Sequence, residues 1–310
     1  MRAVKPAVLA RVTAAATFVL LLAGASVTST GSGLAVPDWP LSYGMLMPPM
    51  KGGILFEHGH RMIAGLVAVL ILALAIVLAR SDASRTAKRL GIAAAALVIV
   101  QAGLGGLTVL LRLPPAVSIA HAALAMTVFS LVVAIAIITS DGWRGAERAG
   151  ASPRVRSLAR VALGVVFAQI LAGALVRHTG AGLACPDFPL CHGRLWPALT
   201  HPWIVIHFVH RLGALAVLLA VGALALGARR EGPRVRAGAA VAFGLVLLQV
   251  ALGGAAVLSG LKPALTVAHH AGGALLLVTT LWVVLWSRPG ARAIVAASTR
   301  PLASGLGVPA

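Results

Sequence analysis

The sequence predicts an all-α membrane protein with eight transmembrane helices, arranged as two tandem, duplicated four-helix bundles. Two observations predict the membrane class. Of the 310 residues, 59% are apolar and only 11% are charged, and the mean hydropathy is +0.97. Soluble domains carry about 25% charged residues, so a chain this poor in charge cannot cover itself with a water-compatible surface. A third observation, an internal repeat, predicts the division into two bundles.

Eight apolar runs are long enough to cross a bilayer, which requires about 20 residues each. They cover residues 7–28, 54–79, 90–111, 116–139, 158–177, 202–228, 237–258 and 264–286. The first run could also be a secretory signal, because it has a basic start, an apolar middle and small residues near Ala25. The repeat described below favours a helix of the bundle instead.

The charge balance predicts the orientation of these helices. Twenty-six Lys and Arg residues against seven Asp and Glu give a net charge of +19, which in a soluble protein would indicate nucleic acid as a partner. The basic residues instead concentrate in alternate polar gaps, at 2–11, 80–89, 144–160, 229–236 and 288–300. By the positive-inside rule these gaps face the cytoplasm. We therefore expect a multi-pass protein of the cell membrane with both termini cytoplasmic, surrounded by lipid and without a nucleic-acid partner.

An internal repeat appears when the chain is compared with itself at an offset of about 149 residues. The outward-facing segment T-G-S-G-L-A-V-P-D-W-P-L-S-Y-G lies over T-G-A-G-L-A-C-P-D-F-P-L-C-H-G, and further matches follow in the helices. The matched segments are 30–44 with 179–193, 101–106 with 249–254, 115–121 with 263–269, and 57–61 with 207–211. The repeat predicts bundles at 1–140 and 158–287, with the same orientation, a cytoplasmic linker at 141–157 and a mobile cytoplasmic tail at 288–310.

Four histidines occupy matched positions near the outer ends of helices two, four, six and eight: His60, His121, His210 and His269. Each lies about six to eight residues past the start of its helix, which places all four at a depth of about 10 Å. A single buried histidine is most simply a polar packing residue bonded to a neighbouring helix. Two pairs at one depth instead favour axial ligation of haem iron, with one b-type haem in each bundle.

Neighbouring residues fit this interpretation in different degrees. The glycine pairs at 105–106, 253–254 and 272–273 could let a flat macrocycle approach the backbone, although small residues also serve helix packing. Arg61 and Arg211 each follow a histidine, so they could bind haem propionates or extend to lipid headgroups.

A zinc or copper centre fits less well, because no further Cys or carboxylate lies at the depth of each pair. The sequence lacks C-x-x-C-H, which excludes the usual attachment of a c-type haem.

Two cysteines, Cys185 and Cys191, lie together in the second outward-facing loop. An oxidising compartment favours a disulfide between them. A redox-active dithiol, or a copper contact that includes His192, remains an alternative.

The motifs together resemble one known family. They are Glu57-x-x-His60-Arg61, the two loops with T-G-x-G-L-A-x-P-D-x-P-L, His210-Arg211, and the histidines that open helices four and eight. In this combination the chain resembles the bacterial heme A synthases. The resemblance implies an eight-helix membrane enzyme that oxidises the C8 methyl group of heme O to the formyl group of heme A, for use in terminal oxidases.

The resemblance also implies roles for individual residues. His210 and His269 would hold heme b, and heme O would bind near His60 and His121. Glu57 matches the carboxylate that is essential in the family. Many bacterial members carry a cysteine pair in the first outer loop, and this chain departs from that pattern, because Val36 and Ser42 stand in those places.

Elementary chemistry suggests which half reacts. Oxidation of an unactivated methyl group needs activated oxygen, so dioxygen is the expected oxidant and haem iron its activator. The position three residues before the helix-two histidine is Glu57 in the first half and His207 in the second. Glu57 shares a helix face with His60, where a carboxyl group in an apolar pocket could deliver protons to bound oxygen. Alternatively it anchors His60 or an arginine. His58 and His270 are not expected to be ligands.

Two other functions share part of this pattern. A two-haem b-type electron carrier linked to quinol would use every histidine, but it does not require a carboxylate in one half only. A transporter made of two repeats would place its site at the bilayer midplane, whereas the polar residues here lie near the outer face.

For the enzyme, the expected partners are a heme O synthase, the terminal oxidase assembly pathway and an electron donor that the sequence does not identify. The sequence leaves open whether the protein forms a homo-oligomer.

Overall fold

The structure is a computed structural model that describes residues 5–146 and 149–290. Within these residues eight helices are long and apolar enough to cross a membrane. They are α1 (Pro6–Ser29), α2 (Gly53–Arg80), α3 (Arg85–Leu110), α4 (Pro115–Ile138), α6 (Pro153–His178), α7 (Pro202–Gly227), α8 (Pro233–Leu258) and α9 (Pro263–Trp286). A short α5 (Asp141–Arg144) lies between the halves. The prediction of an all-helical fold with eight spans is confirmed.

The starts of two helices differ from the prediction. Both α3 and α6 begin about one turn earlier than the apolar runs suggest. Ser84 and Ser152 cap these starts, because each hydroxyl accepts an N–H from the first turn. The basic first turns are therefore helical although they are not apolar. The segment 141–157, expected as a linker, contains α5 and the start of α6, and its role as a linker stays a prediction.

Within each half the four long helices form a ring. In the N-terminal half, α1 and α3 each pack against both α2 and α4, so α2 and α4 lie diagonally across the bundle. In the C-terminal half, α6 and α8 each pack against both α7 and α9, which are likewise diagonal. This arrangement directs residues of α2 and α4, or of α7 and α9, toward a shared centre.

The two rings meet through α1 and α4 on one side and α6 and α9 on the other. Across this boundary, Thr266 Oγ1 donates to Ser29 Oγ at 2.8 Å. Because α1 packs against α2, α4 and α9, it is a helix of the bundle, as the repeat favoured. The boundaries 1–140 and 158–287 stay a prediction, and residues 291–310 of the expected tail lie outside the described residues.

Candidate functional site

Two loops, loop 1 (residues 30–52) and loop 2 (residues 179–201), fold in the same way over the ends of the helices that they connect. Each is closed by an aspartate that accepts two backbone N–H groups of a tight turn. Asp38 accepts from Tyr43 at 2.7 Å and Gly44 at 2.8 Å, and Asp187 accepts from His192 and Gly193 at 2.7 Å each. The N–H of Gly44 is the main group that lowers the pKa of Asp38, and that of Gly193 lowers the pKa of Asp187.

One arginine fastens each loop to the helix beneath it. Arg61 on α2 donates to the carbonyl oxygens of Asp38 and Leu41 at 2.8 and 2.9 Å. On α7, Arg211 donates to those of Cys185 and Asp187 at 2.8 Å each. The structure gives these arginines loop carbonyls as partners, and the haem propionates or lipid headgroups that the sequence suggested stay a prediction. The physical reason is that the loop folds back over the helix start and brings a cluster of carbonyl dipoles within reach of the guanidinium group.

Glu57 lies beneath loop 1 and is only 4% exposed. Its Oε1 accepts from Arg61 at 2.6 Å, and its Oε2 accepts from the backbone N–H of Val36 at 2.8 Å. In the C-terminal half His207 takes the same place, with Nδ1 3.0 Å from the carbonyl oxygen of Ala181 and 3.4 Å from the N–H of Cys185. Glu57 therefore makes the anchoring contacts to an arginine that were one of its two expected roles. The two halves therefore differ at this position, which holds the carboxylate of Glu57 in the N-terminal half and the imidazole of His207 in the C-terminal half.

The cysteine positions of the two loops also differ. Cys185 and Cys191 form a disulfide in loop 2, as expected. In loop 1, Ser42 Oγ is 2.7 Å from His58 Nδ1, so His58 is bonded to the loop. His192 Nε2 is 2.8 Å from the carbonyl oxygen of Ala184. Residues 5–146 and 149–290 contain no group of three or more His, Cys, Asp or Glu that could hold a metal ion. A copper site at loop 2 therefore gains no support.

The four histidines of the predicted ligand set form two pairs across the bundles. His60 and His121 lie on the diagonal helices α2 and α4, and His210 and His269 lie on α7 and α9. Because α2 and α4, and likewise α7 and α9, are diagonal in their rings, each pair can face the centre of its own ring of helices.

Each histidine ring lies against a glycine of the preceding long helix. A Cβ added to the glycine would come within 3.1 to 3.2 Å of the ring's Cε1 atom, for Gly24 and His60, Gly105 and His121, Gly173 and His210, and Gly253 and His269. Gly106 and Gly254 make similar room for Trp39 of loop 1 and Phe188 of loop 2. Imidazole and loop rings therefore lie beside the glycines at 105–106 and 253–254, and the approach of a macrocycle to these glycines stays a prediction.

Two glutamines that the sequence analysis did not single out as site residues contact the histidines. Gln101 Nε2 is 3.3 Å from His121 Nε2 and donates to the His121 carbonyl oxygen at 3.1 Å. Gln169 Nε2 donates to His210 Nδ1 at 3.0 Å and to the His210 carbonyl oxygen at 2.8 Å. A signal was present in the sequence, since each glutamine lies four residues before the glycine that faces the same histidine.

Comparison with known proteins assigns the family. A sequence profile of the COX15-CtaA family, described as cytochrome oxidase assembly protein, matches residues 7–281. The chain belongs to this family. Among its relatives, the heme A synthase of Symbiobacterium thermophilum is 36% identical over 287 residues, which is 88% of this chain and 92% of the relative. The heme A synthase of Caulobacter vibrioides is 32% identical over 323 residues, covering 86% and 91%.

The histidine pairs of this COX15-CtaA family member fit haem. Within the described residues, Nδ1 of His60, His121 and His269 is buried without a hydrogen-bond partner. Such an atom costs free energy unless a ligand satisfies it. Haem iron accepts two neutral imidazoles from facing helices, and each pair supplies two with no competing thiolate or carboxylate.

Proposed function

We propose that this protein is a heme A synthase, which oxidises the C8 methyl group of heme O to a formyl group. The observation that carries the proposal is the presence of one histidine pair in each half of a chain whose relatives are named heme A synthases. The comparisons give no support to the alternative of a quinol-linked electron carrier. In this proposal a heme O synthase supplies the substrate, and a terminal oxidase in assembly takes the product.

The two halves have different tasks in this proposal. His210 and His269 would hold heme b, which would supply the transfer of electrons from a donor outside the chain, and His60 and His121 would hold the substrate heme O. When bound, haem iron supplies the activation of dioxygen that a methyl oxidation requires. The assignment of the substrate to the N-terminal half rests on Glu57, because only that half has a carboxylate at this position.

In this proposal the chain's own residues bind and orient the substrate haem and protect the site from water. Loop 1 covers the substrate half, and Trp39 of that loop fills the space beside Gly106 on α3, which helps to exclude water. Arg61 holds both the loop and the Glu57 carboxylate. Glu57, three residues before His60, is held by the Val36 N–H and by Arg61. Both of its oxygens accept hydrogen bonds in this arrangement, so delivery of a proton toward the reacting centre requires that one oxygen first leaves its donor and takes up a proton. The outer ends of the helices face the outside of the cell membrane, with both termini cytoplasmic.

Haem extraction tests the proposal. The full chain is expressed in cells that make heme O, and hemes B, O and A are quantified in extracts of the purified protein. We expect heme A or its hydroxylated precursor beside heme B. His121→Ala should abolish heme A but keep heme B, whereas the matched control His201→Ala, an exposed histidine outside both pairs, should retain both. Heme B without heme O or heme A in the wild type would overturn the proposal.

A further inference from the structure

Arg177 lies in the last turn of α6, on the face of that helix that contacts His210. Gln169 donates to the ring and to the backbone carbonyl of His210, and Gly173 packs against the same ring. Arg177 follows Gly173 by four residues. Residues four apart share a helix face, so Arg177 continues this row, about 6 Å beyond Gly173 along the helix axis.

The direction of the side chain favours a contact inside the bundle. Side chains of an α-helix lean toward the helix N-terminus, and for Arg177 this direction leads back toward the level of Gly173 and His210. Loop 2 covers the end of the helix, because its turn Ala181–Leu183 packs against both α6 and α7. Arg177 itself is half-buried. Its guanidinium group is therefore directed beneath loop 2 rather than toward lipid headgroups beyond the helix end.

The guanidinium group of Arg177 makes no hydrogen bond or ion pair with residues 5–146 and 149–290. Its neighbours are already engaged. Nη1 and Nη2 of Arg211 each donate to two carbonyl oxygens of loop 2, and the Asp187 carboxylate accepts two backbone N–H groups of the same loop. A half-buried cation has lost part of its hydration, and this loss costs free energy unless an anion compensates it. Arg177 is therefore suited to bind an anionic ligand.

The N-terminal half has no cation at the corresponding position. The register that aligns loop 1 with loop 2 also aligns Gly24 with Gly173, and both glycines face a histidine ring. In this register Thr28 corresponds to Arg177. Thr28 Oγ1 donates to the carbonyl oxygen of Gly24 at 3.2 Å, so it is engaged by its own helix. The unpaired cation therefore belongs only to the half in which heme b is proposed to bind.

We propose that Arg177 binds a propionate carboxylate of heme b. This inference rests on the proposed ligation of heme b by His210 and His269. A haem carries its two propionates on one edge, and a guanidinium group binds a carboxylate through two parallel, charge-assisted hydrogen bonds. Arg177 lies one helix turn beyond the glycine that faces His210 and leans back toward it, so it can meet a carboxylate at the edge of a haem whose iron His210 binds. The contact neutralises that carboxylate and fixes the orientation of the macrocycle.

Two changes, one in the protein and one in the haem, test the contact together. The full-length protein with His121→Ala, which leaves only the C-terminal histidine pair complete, is depleted of haem and titrated with heme b or its dimethyl ester. Low-spin absorption reports binding. Arg177→Gln should lower the affinity for heme b by roughly 10- to 150-fold, because a hydrogen bond between charged groups is lost. Esterification removes the same contact from the ligand, so it should weaken binding to the parent far more than binding to Arg177→Gln.

Two further variants control for charge and for folding. Arg194 is an exposed arginine of loop 2 in the same half, so Arg194→Gln should bind heme b and the ester as the parent does. Arg177→Lys keeps the charge but cannot form two parallel hydrogen bonds, so its heme b affinity should lie between those of the parent and Arg177→Gln. If Arg177→Gln does not fold, Arg177→Lys takes its place, and its loss of affinity on esterification should be smaller than that of the parent.

Equal heme b affinity in the parent and in both Arg177 variants would overturn the inference, and it would indicate a lipid headgroup as the partner of Arg177. Weaker heme b binding with an undiminished effect of esterification would also overturn it, because the arginine would then support the fold and not the propionate. A parent that binds no haem through His210 and His269 would defeat the proposed function, and this inference with it.

Discussion

Replacement of Glu57 by glutamine separates the two roles that its surroundings allow. The side chain is buried and accepts from Arg61 Nη2 and from the N–H of Val36. If it delivers a proton to the reacting centre, glutamine has the right shape but no proton to transfer at this site. If it only anchors loop 1, glutamine should preserve much of the function, because its carbonyl oxygen can still accept one of the two bonds.

The losses expected for a proton donor and for an anchor of loop 1 differ enough to distinguish the two roles of Glu57. A general acid contributes about 10²- to 10⁴-fold to a rate, so heme A formation should fall by that range in Glu57→Gln. For an anchor, the variant loses one hydrogen bond to a charged group, worth about 1.5 to 3 kcal/mol. Arg61 still donates to the carbonyl oxygens of Asp38 and Leu41, so loop 1 stays attached. Glu57→Ala loses both acceptors and should then be clearly worse than Glu57→Gln.

The assay expresses each variant with heme O supplied and quantifies extracted hemes B, O and A. His207→Gln is the matched control, because His207 takes the corresponding place beneath loop 2. For proton delivery, Glu57→Gln and Glu57→Ala should both lose heme A while heme O and heme B remain bound. The control should keep heme A formation within a few-fold of the wild type, by the same hydrogen-bond argument.

Near-normal heme A formation by Glu57→Gln would refute proton delivery. Together with a severe defect in Glu57→Ala, it would leave Glu57 as the residue that attaches loop 1, with the proton source elsewhere. Loss of heme O from Glu57→Gln would also contradict the reasoning, because a proton donor should not be needed to bind the substrate.

Further predictions concern the other half and the loops. His210→Ala or His269→Ala should remove the low-spin b-type spectrum of the purified protein, and unchanged absorption would contradict the heme b assignment. Replacing both Cys185 and Cys191 by serine should lower thermal stability more than turnover per folded protein, whereas lost activity with normal haem content would indicate a redox role. Backbone N–H groups lower the pKa of Asp38 below 3.8. Ionised Asp38 therefore stabilises loop 1 fully above that value, and the stabilisation disappears as the pH falls through the lower folded pKa. Asp38→Asn should increase proteolysis of loop 1 at neutral pH and remove its acid dependence; identical cleavage of both proteins at every pH would contradict this.

The sequence determined the features that depend on local composition. Apolar runs gave the eight spans because burial in a bilayer is a property of about 20 consecutive residues. The repeated loop motif predicted two similar outer loops, and both close on an aspartate in the same way. The matched depth of the histidines predicted the pairing of His60 with His121 and of His210 with His269, since position along a helix fixes depth.

Tertiary structure decided what each polar group contacts. Arg61 bonds to loop carbonyls because loop 1 folds back onto α2, a geometry that no local pattern encodes. Gly105 accommodates the ring of His121 because α3 and α4 pack closely at that point. The contact between Gln169 and His210 joins residues 41 positions apart. The sequence held the spacing of these residues, but hydrogen bonds act over about 3 Å, so only the packed helices could decide which donor meets which acceptor.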